Sequence, residues 1–195
     1  PSVVYTESQY GGLVQFNPFT GQRRRIAPQP PQGQTYRWNW NAPMRLSPHD
    51  PGTFYYGGQF LFRTRNRGTS WDVVSPDLTR QIAIDPQYAI SPYGTLLWID
   101  ESPRQRGWLA VGTDDGLIQL TEDGGSTWRK ASSIPGVPER AQIRRVFHSA
   151  HVDRTLYVAA SNLVPEFQSK LGWRMPISFF AGCGLFFAVR GVTGS

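Results

Sequence analysis

Two acidic pairs have residue types and positions that invite a chemical reading: Asp114 and Asp115, followed by Gly116, and Asp100 and Glu101, which end an apolar run. Hydrolysis of a glycosidic bond needs two carboxyl groups on opposite sides of the scissile bond, about 5 to 9.5 Å apart depending on stereochemistry. Adjacent carboxylates in a glycine turn also serve as turn formers, since a short acceptor side chain bonds the backbone donors of its own loop. By residue type, Asp114 and Asp115 are therefore the catalytic candidates, with Asp100 and Glu101 behind them. A second constellation is the run Tyr36-Arg37-Trp38-Asn39-Trp40-Asn41. Aromatic rings interleaved with amide and guanidinium groups suit sugar or peptide recognition, because rings stack on apolar faces while polar groups fix orientation. The alternation of Trp38 and Trp40 fits equally a strand that packs its rings inward.

Other chemistries lack a motif. His49, His148 and His151 lie in turns or at strand ends without metal-ligand spacing, as surface histidines do, and no metal is expected. The single cysteine, Cys183, has no base beside it and no partner for a disulfide. There is no nucleophile elbow, phosphate loop or dinucleotide fingerprint, so no cofactor is expected. The formal charge of +6 comes from 18 Arg and 2 Lys against 14 acidic residues. These arginines are scattered, and the one run, Arg23-Arg24-Arg25, sits in a Pro/Gln-rich stretch from Gln22 to Gln34 that reads as a solvated crossover loop; nucleic acid is not an expected partner.

The elements that must position these residues follow from a repeat. Leu46 to Trp71 and Glu101 to Trp128, about 55 residues apart, share one order of features: Ser-Pro, apolar strand, Gly, apolar strand, polar turn, Trp. A third copy starts at His148, and a fourth, lacking its beginning, opens the chain. The apolar clusters at 44–46, 53–56, 60–62 and 71–74 recur at 96–99, 108–111, 117–120 and 128–130, separated by Gly, Asn and Asp turns. Four short antiparallel strands in a repeat of this length are the blade of a β-propeller, whose sheets bury their faces against one another. The expected fold is all-β, about three blades and a partial one over 1–160, an incomplete portion of a larger ring whose remaining blades are partners. The repeat is lost over 161–195, an atypical segment in which the apolar stretch of about 15 residues from Met175 to Val189, interrupted by Gly182 and Gly184, falls short of a membrane span and better suits a strand pair or a sequence whose reading frame departs from its relatives'.

The turns before the two repeat tryptophans carry a resemblance. Thr64-Arg65-Asn66-Arg67-Gly68-Thr69-Ser70-Trp71 and Thr121-Glu122-Asp123-Gly124-Gly125-Ser126-Thr127-Trp128 resemble the Asp box, or BNR repeat, Ser/Thr-x-Asp-x-Gly-x-Thr-Trp. The second matches almost in full; the first has Asn66 for the Asp and Ser70 for the Thr. The box occurs in bacterial sialidases, xyloglucan hydrolases and sortilin-type receptors, and the wider wording over residues 2 to 160 is similar to sortilin-like bacterial proteins labelled glycosyl hydrolases. The resemblance implies a structural box, Thr64, Asn66, Gly68, Trp71, Thr121, Asp123, Gly125 and Trp128, in the hairpin between the third and fourth strands. It implies a secreted or periplasmic setting.

Strand order then places the site. With the box between the third and fourth strands, the loop between the second and third and the crossover to the next blade lie on the opposite face. The ligand candidates assigned there are Arg37, Trp38, Asn39, Trp40, Asn41, Gln59, Tyr93, Asp114, Asp115 and Arg144. Two functions follow: a scaffold that binds glycan or protein through this loop face, or a fragment of a sialidase-like or xyloglucanase-like glycoside hydrolase. One box per blade would make redundant active sites, so Asp123 is read as structural; of the two functions the scaffold is favoured.

Overall fold

The computed structural model describes residues 3–82, 93–131, 133–161 and 185–190. Their regular structure is entirely β, and no helix among them is long and apolar enough to cross a membrane. The strands are β1 (Val4–Ser8), β2 (Gly12–Phe16), β3 (Arg23–Arg25), β4 (Met44–Leu46), β5 (Phe54–Gly57), β6 (Leu61–Thr64), β7 (Asp72–Val73), β8 (Leu96–Glu101), β9 (Leu109–Thr113), β10 (Ile118–Thr121), β11 (Arg129–Lys130), β12 (Gln142–His148), β13 (Thr155–Ser161) and β14 (Leu185–Arg190). Among the described residues they form antiparallel sheets in simple meander order: β1-β2-β3, β4-β5-β6-β7, β8-β9-β10-β11 and β12-β13-β14.

The middle two sheets reproduce the repeat strand for strand. Tyr56 pairs with Met44 and Phe62 in one, and Val111 with Ile99 and Gln119 in the other. Both central strands are buried along their whole length, as strands covered on two faces must be. The sheets stack face to face, and each seam has its own core. Leu13, Ile26, Phe54 and Tyr56 fill the first; Tyr55, Leu61, Leu96, Ile99, Leu109 and Val111 the second; Ile118, Leu120, Ile143, Val146 and Val158 the third. Close approach demands the glycines: a Cβ on Gly112 would stand 2.5 Å from the Ile143 side chain of the next sheet.

Three expectations change. Arg23-Arg24-Arg25 is not a loop but the outer strand β3, because its backbone completes the ladder of β2 while the side chains stay exposed and Arg24 bonds Gln15 across the pair. Trp38 and Trp40 lie in no strand; among the described residues the crossover at 35–43 has no ladder partner, and Trp38 is half-buried while Trp40 is exposed. His148, at the end of β12, is half-buried and tied inward rather than free at the surface, its Nδ1 2.9 Å from an Asp100 carboxylate oxygen. The other oxygen of Asp100 meets Arg45 Nη2 at 3.1 Å, so one carboxylate ties the first strands of three successive sheets, β4, β8 and β12. Of the segment beyond Ala160, β14 is described as the antiparallel partner of β13; Cys183 and the rest of the apolar run up to Gly184 lie outside the described residues.

Candidate functional site

The two hairpins that end in Trp71 and Trp128 are closed by the same pattern of hydrogen bonds. In the second, Thr121 Oγ1 donates to Asp123 Oδ1 at 2.7 Å and accepts the Gly125 amide at 3.0 Å. Asp123 then accepts the Thr127 amide at 2.9 Å and its hydroxyl at 2.6 Å, which hold the carboxyl well below the usual carboxylate range. In the first hairpin Asn66 does the same work, accepting the Ser70 amide at 2.9 Å while its own NH2 donates to Ser70 Oγ at 2.8 Å. The tryptophan that ends each hairpin reaches back one sheet: Trp71 Nε1 donates to Ile26 O at 2.6 Å, and Trp128 Nε1 to Val74 O at 2.9 Å. Gly125, at φ +101°, lies against Val74, where a Cβ would stand 2.4 Å from the carbonyl oxygen.

On the opposite face the candidates are drawn into bonds between sheets. Asp114 is 3% exposed. Its Oδ1 accepts the amides of Gly94 and Thr95, and Oδ2 meets the Thr95 hydroxyl at 2.6 Å. Burial, opposed by those bonds, pushes its pKa up to about 6. Asp115, fully buried, bonds Thr113 Oγ1 and accepts the Arg80 amide at 2.6 Å. Arg37 donates to Gly94 O, to Asp77 at 2.7 Å and to Thr79, and its own amide is held by the buried Gln59 at 2.7 Å. Asn39 donates to Thr95 Oγ1 at 3.0 Å. The carboxyls of Asp114 and Asp115 thus hold the crossover from the second sheet to the third against the β9–β10 turn. Tyr93 stands half-buried near both, its hydroxyl pKa raised by burial and then by their charge. Arg144 is exposed at a bulge in β12. Trp38 stacks on Tyr56 at 4.9 Å and covers Gly11 and Gly58, a packing role.

Two rings on this face stay outside the packing. Trp40 is 47% exposed, and Tyr10, in the β1–β2 turn, is 42% exposed and stands edge-on to it at 5.3 Å. The Tyr10 amide donates to Trp40 O at 3.4 Å, and Asn41 follows, exposed. Tyr10 escaped the sequence reading because it lies in a turn far from the Trp run in sequence.

A cleft of about 430 Å³ opens on the box face, at the seam between the second and third sheets. Glu101 forms its floor, 1% exposed, with Oε1 accepting the Gly107 amide at 2.9 Å and Oε2 buried without a partner. Arg63 lines one wall; Nη1 donates to Gly124 O at 3.2 Å, and Nε is buried and unpartnered. Tyr55 stands beside them, its hydroxyl pKa pushed up to about 12 by burial and then by the charge of Glu101. Arg65 and Arg106 are exposed at the mouth. Sequence reasoning noted Glu101 but set it with Asp100. The signal it missed is a broken repeat: Arg63 stands where the next repeat has Leu120, Tyr55 where it has Ala110, and Glu101 where the preceding repeat has Leu46.

No family model matches the sequence, and no curated protein matches it. Solved structures do. The Niastella koreensis GH74 enzyme superposes with a TM-score of 0.51 at 15% identity, over 82% of this chain and 24% of that one. Sqt1 of Saccharomyces cerevisiae gives 0.51 at 19% identity over 79% and 39%, and the extracellular domain of a putative one-component system of B. thetaiotaomicron 0.51 at 10% over 82% and 18%. All are β-propeller proteins. The sheets of this chain are propeller blades. The chain spans less than half the length of each of these proteins, and at such identities the likeness shows the propeller fold.

Proposed function

We propose that the chain is part of an Asp-box propeller that acts as a binding scaffold, taking a glycan on its loop face. The observation that carries this reading is the Tyr10–Trp40 pair: two large rings, edge to face, left outside the cores on a face whose neighbouring side chains are bonded between blades. An exposed aromatic platform on a rigid support stacks on the apolar face of a sugar without ordering cost, and the adjacent Asn41 amide offers a donor and an acceptor for its hydroxyls. Arg37, Asn39, Gln59 and Asp114 position the platform through the bonds that fix the crossovers. The box assignment is supported by the shared hydrogen-bond pattern of the two hairpins, in which Asp123 and Asn66 serve the same turn. Such a ligand is met outside the cytoplasm, which fits a secreted or periplasmic setting.

The test is titration against a panel of soluble polysaccharides, with Trp40→Ala as the control and product analysis alongside. Saturable binding that Trp40→Ala weakens at least tenfold supports the scaffold. Binding of a protein in place of every glycan would change the ligand class. Accumulation of reducing ends would identify a glycoside hydrolase instead.

A further inference from the structure

We propose that the cleft between the second and third blades is a separate binding site for an anionic, hydroxylated ligand of the hexuronate class. It lies on the box face, away from the Trp40 platform, and does not depend on the reading of that platform. The fold gives the cleft groups that it does not satisfy. Glu101 is almost wholly buried, yet one carboxylate oxygen has no donor; the Nε of Arg63, across the same space, has no acceptor. A buried unpaired polar atom weakens the folded state, and an apolar side chain of similar volume does the structural work without that penalty. The protein itself demonstrates the alternative: its next repeat builds the same wall from Ala110 and Leu120, both in the apolar core of the third seam. At the next seam the position of Glu101 is taken by His148, whose Nδ1 is paired with Asp100, so only the second seam leaves its floor carboxylate oxygen without a partner, and that oxygen points to a ligand.

The chemistry of that ligand follows from the order of groups. Arg65 and Arg106 stand exposed at the way in, Arg106 Nη2 3.9 Å from Asp50 Oδ2, and with Arg63 in the wall they offer donors to a ligand carboxylate. A bare anion would suit the arginines but leave the floor carboxylate without a donor. Asp50 and Asp123 also border the cleft, but their oxygens are taken up by Gly52 and Thr53 and by Thr121 and Thr127. Neutral hydroxyl donors on a ring that also carries a carboxylate meet both demands: hydroxyls toward Glu101 and Tyr55, carboxylate toward the arginines at the mouth. A volume of about 430 Å³ is within the range of small-molecule sites.

Calorimetric titration with digalacturonate, with a neutral galactose disaccharide and with sulfate tests the assignment. Digalacturonate should bind at least tenfold more tightly than the neutral disaccharide. Glu101→Gln, which keeps the acceptor for the Gly107 amide, and Arg65→Gln, at an exposed position, should each weaken it at least fivefold. Glu101→Gln should melt no lower than the wild type, and Trp40→Ala should bind digalacturonate as the wild type does. Equal affinity for the neutral disaccharide, no binding of digalacturonate, or its displacement by equimolar sulfate would overturn the proposal. A lower melting temperature for Glu101→Gln would mark the carboxylate as structural, and loss of digalacturonate binding in Trp40→Ala would move the ligand to the other face; either also overturns it.

Discussion

Replacing Asp114 by Asn isolates the cost of a charge that the loop face keeps buried. The carboxyl titrates at about 6 in the folded chain against 3.8 for the ordinary group. Below pH 3.8 both states hold the proton. Between 3.8 and 6 the unfolded chain has released it while the folded chain has not, so stability falls as pH rises and the loss is complete above 6. Two pKa units at about 1.4 kcal/mol each make this loss about 3 kcal/mol. Asn is isosteric, keeps an acceptor for the Gly94 and Thr95 amides and offers its NH2 to the Thr95 hydroxyl, yet carries no charge at any pH. Asp114→Asn should therefore match the wild type in melting temperature near pH 4 and exceed it at pH 7.5 by roughly 5 to 10 °C for a chain of this size. Thermal melts of both proteins from pH 4 to 8 measure the difference directly, because every other carboxyl cancels. A difference that stays constant across that range would refute the reasoning.

The box gives further outcomes. Trp128→Ala removes the ring that fills the second seam and bonds Val74, and should cost about 3 kcal/mol in denaturant unfolding. Gly125→Ala forces a side chain into the left-handed region against the Val74 carbonyl and should destabilise by more than about 2 kcal/mol, with Gly124→Ala, whose Cβ meets only the end of Arg63, costing less. Asp123→Ala should lower the melting temperature at pH 7, and because hydrogen bonds hold this carboxyl below its usual range, the deficit should shrink as pH falls through the acid range and the wild-type group takes up its proton.

The repeat made the blades legible: the order of Ser-Pro, strand, Gly, strand, box and Trp returned β4 to β11 nearly residue for residue, because each blade is a local meander and its signals are local. β3 was hidden because three arginines have no apolar alternation; its strand form comes from the free ladder of β2. The packing of Trp38 and the pairing of His148 were equally invisible, since both depend on neighbours supplied by another blade, Tyr56 in one case and Asp100 in the other. Strand order alone separated the two faces and put Trp40 on the loop side. Position on a face did not tell which polar groups there are free. Asp114, Asp115 and Arg37 are the most chemically suggestive residues of the loop face, and their hydrogen bonds hold adjoining crossovers together.

If the loop face binds ligand while the hairpins around Asn66 and Asp123 serve folding, a single titration separates the two faces. The wild type, Trp40→Ala and Asp123→Ala would be titrated with the polysaccharide selected from the panel, at a temperature where all three remain folded. Asp123→Ala should bind as the wild type does, Trp40→Ala should bind at least tenfold more weakly, and no reducing ends should appear. Loss of binding in Asp123→Ala with Trp40→Ala unaffected would contradict this assignment of the faces, for the recognition face would then be the one that carries the boxes.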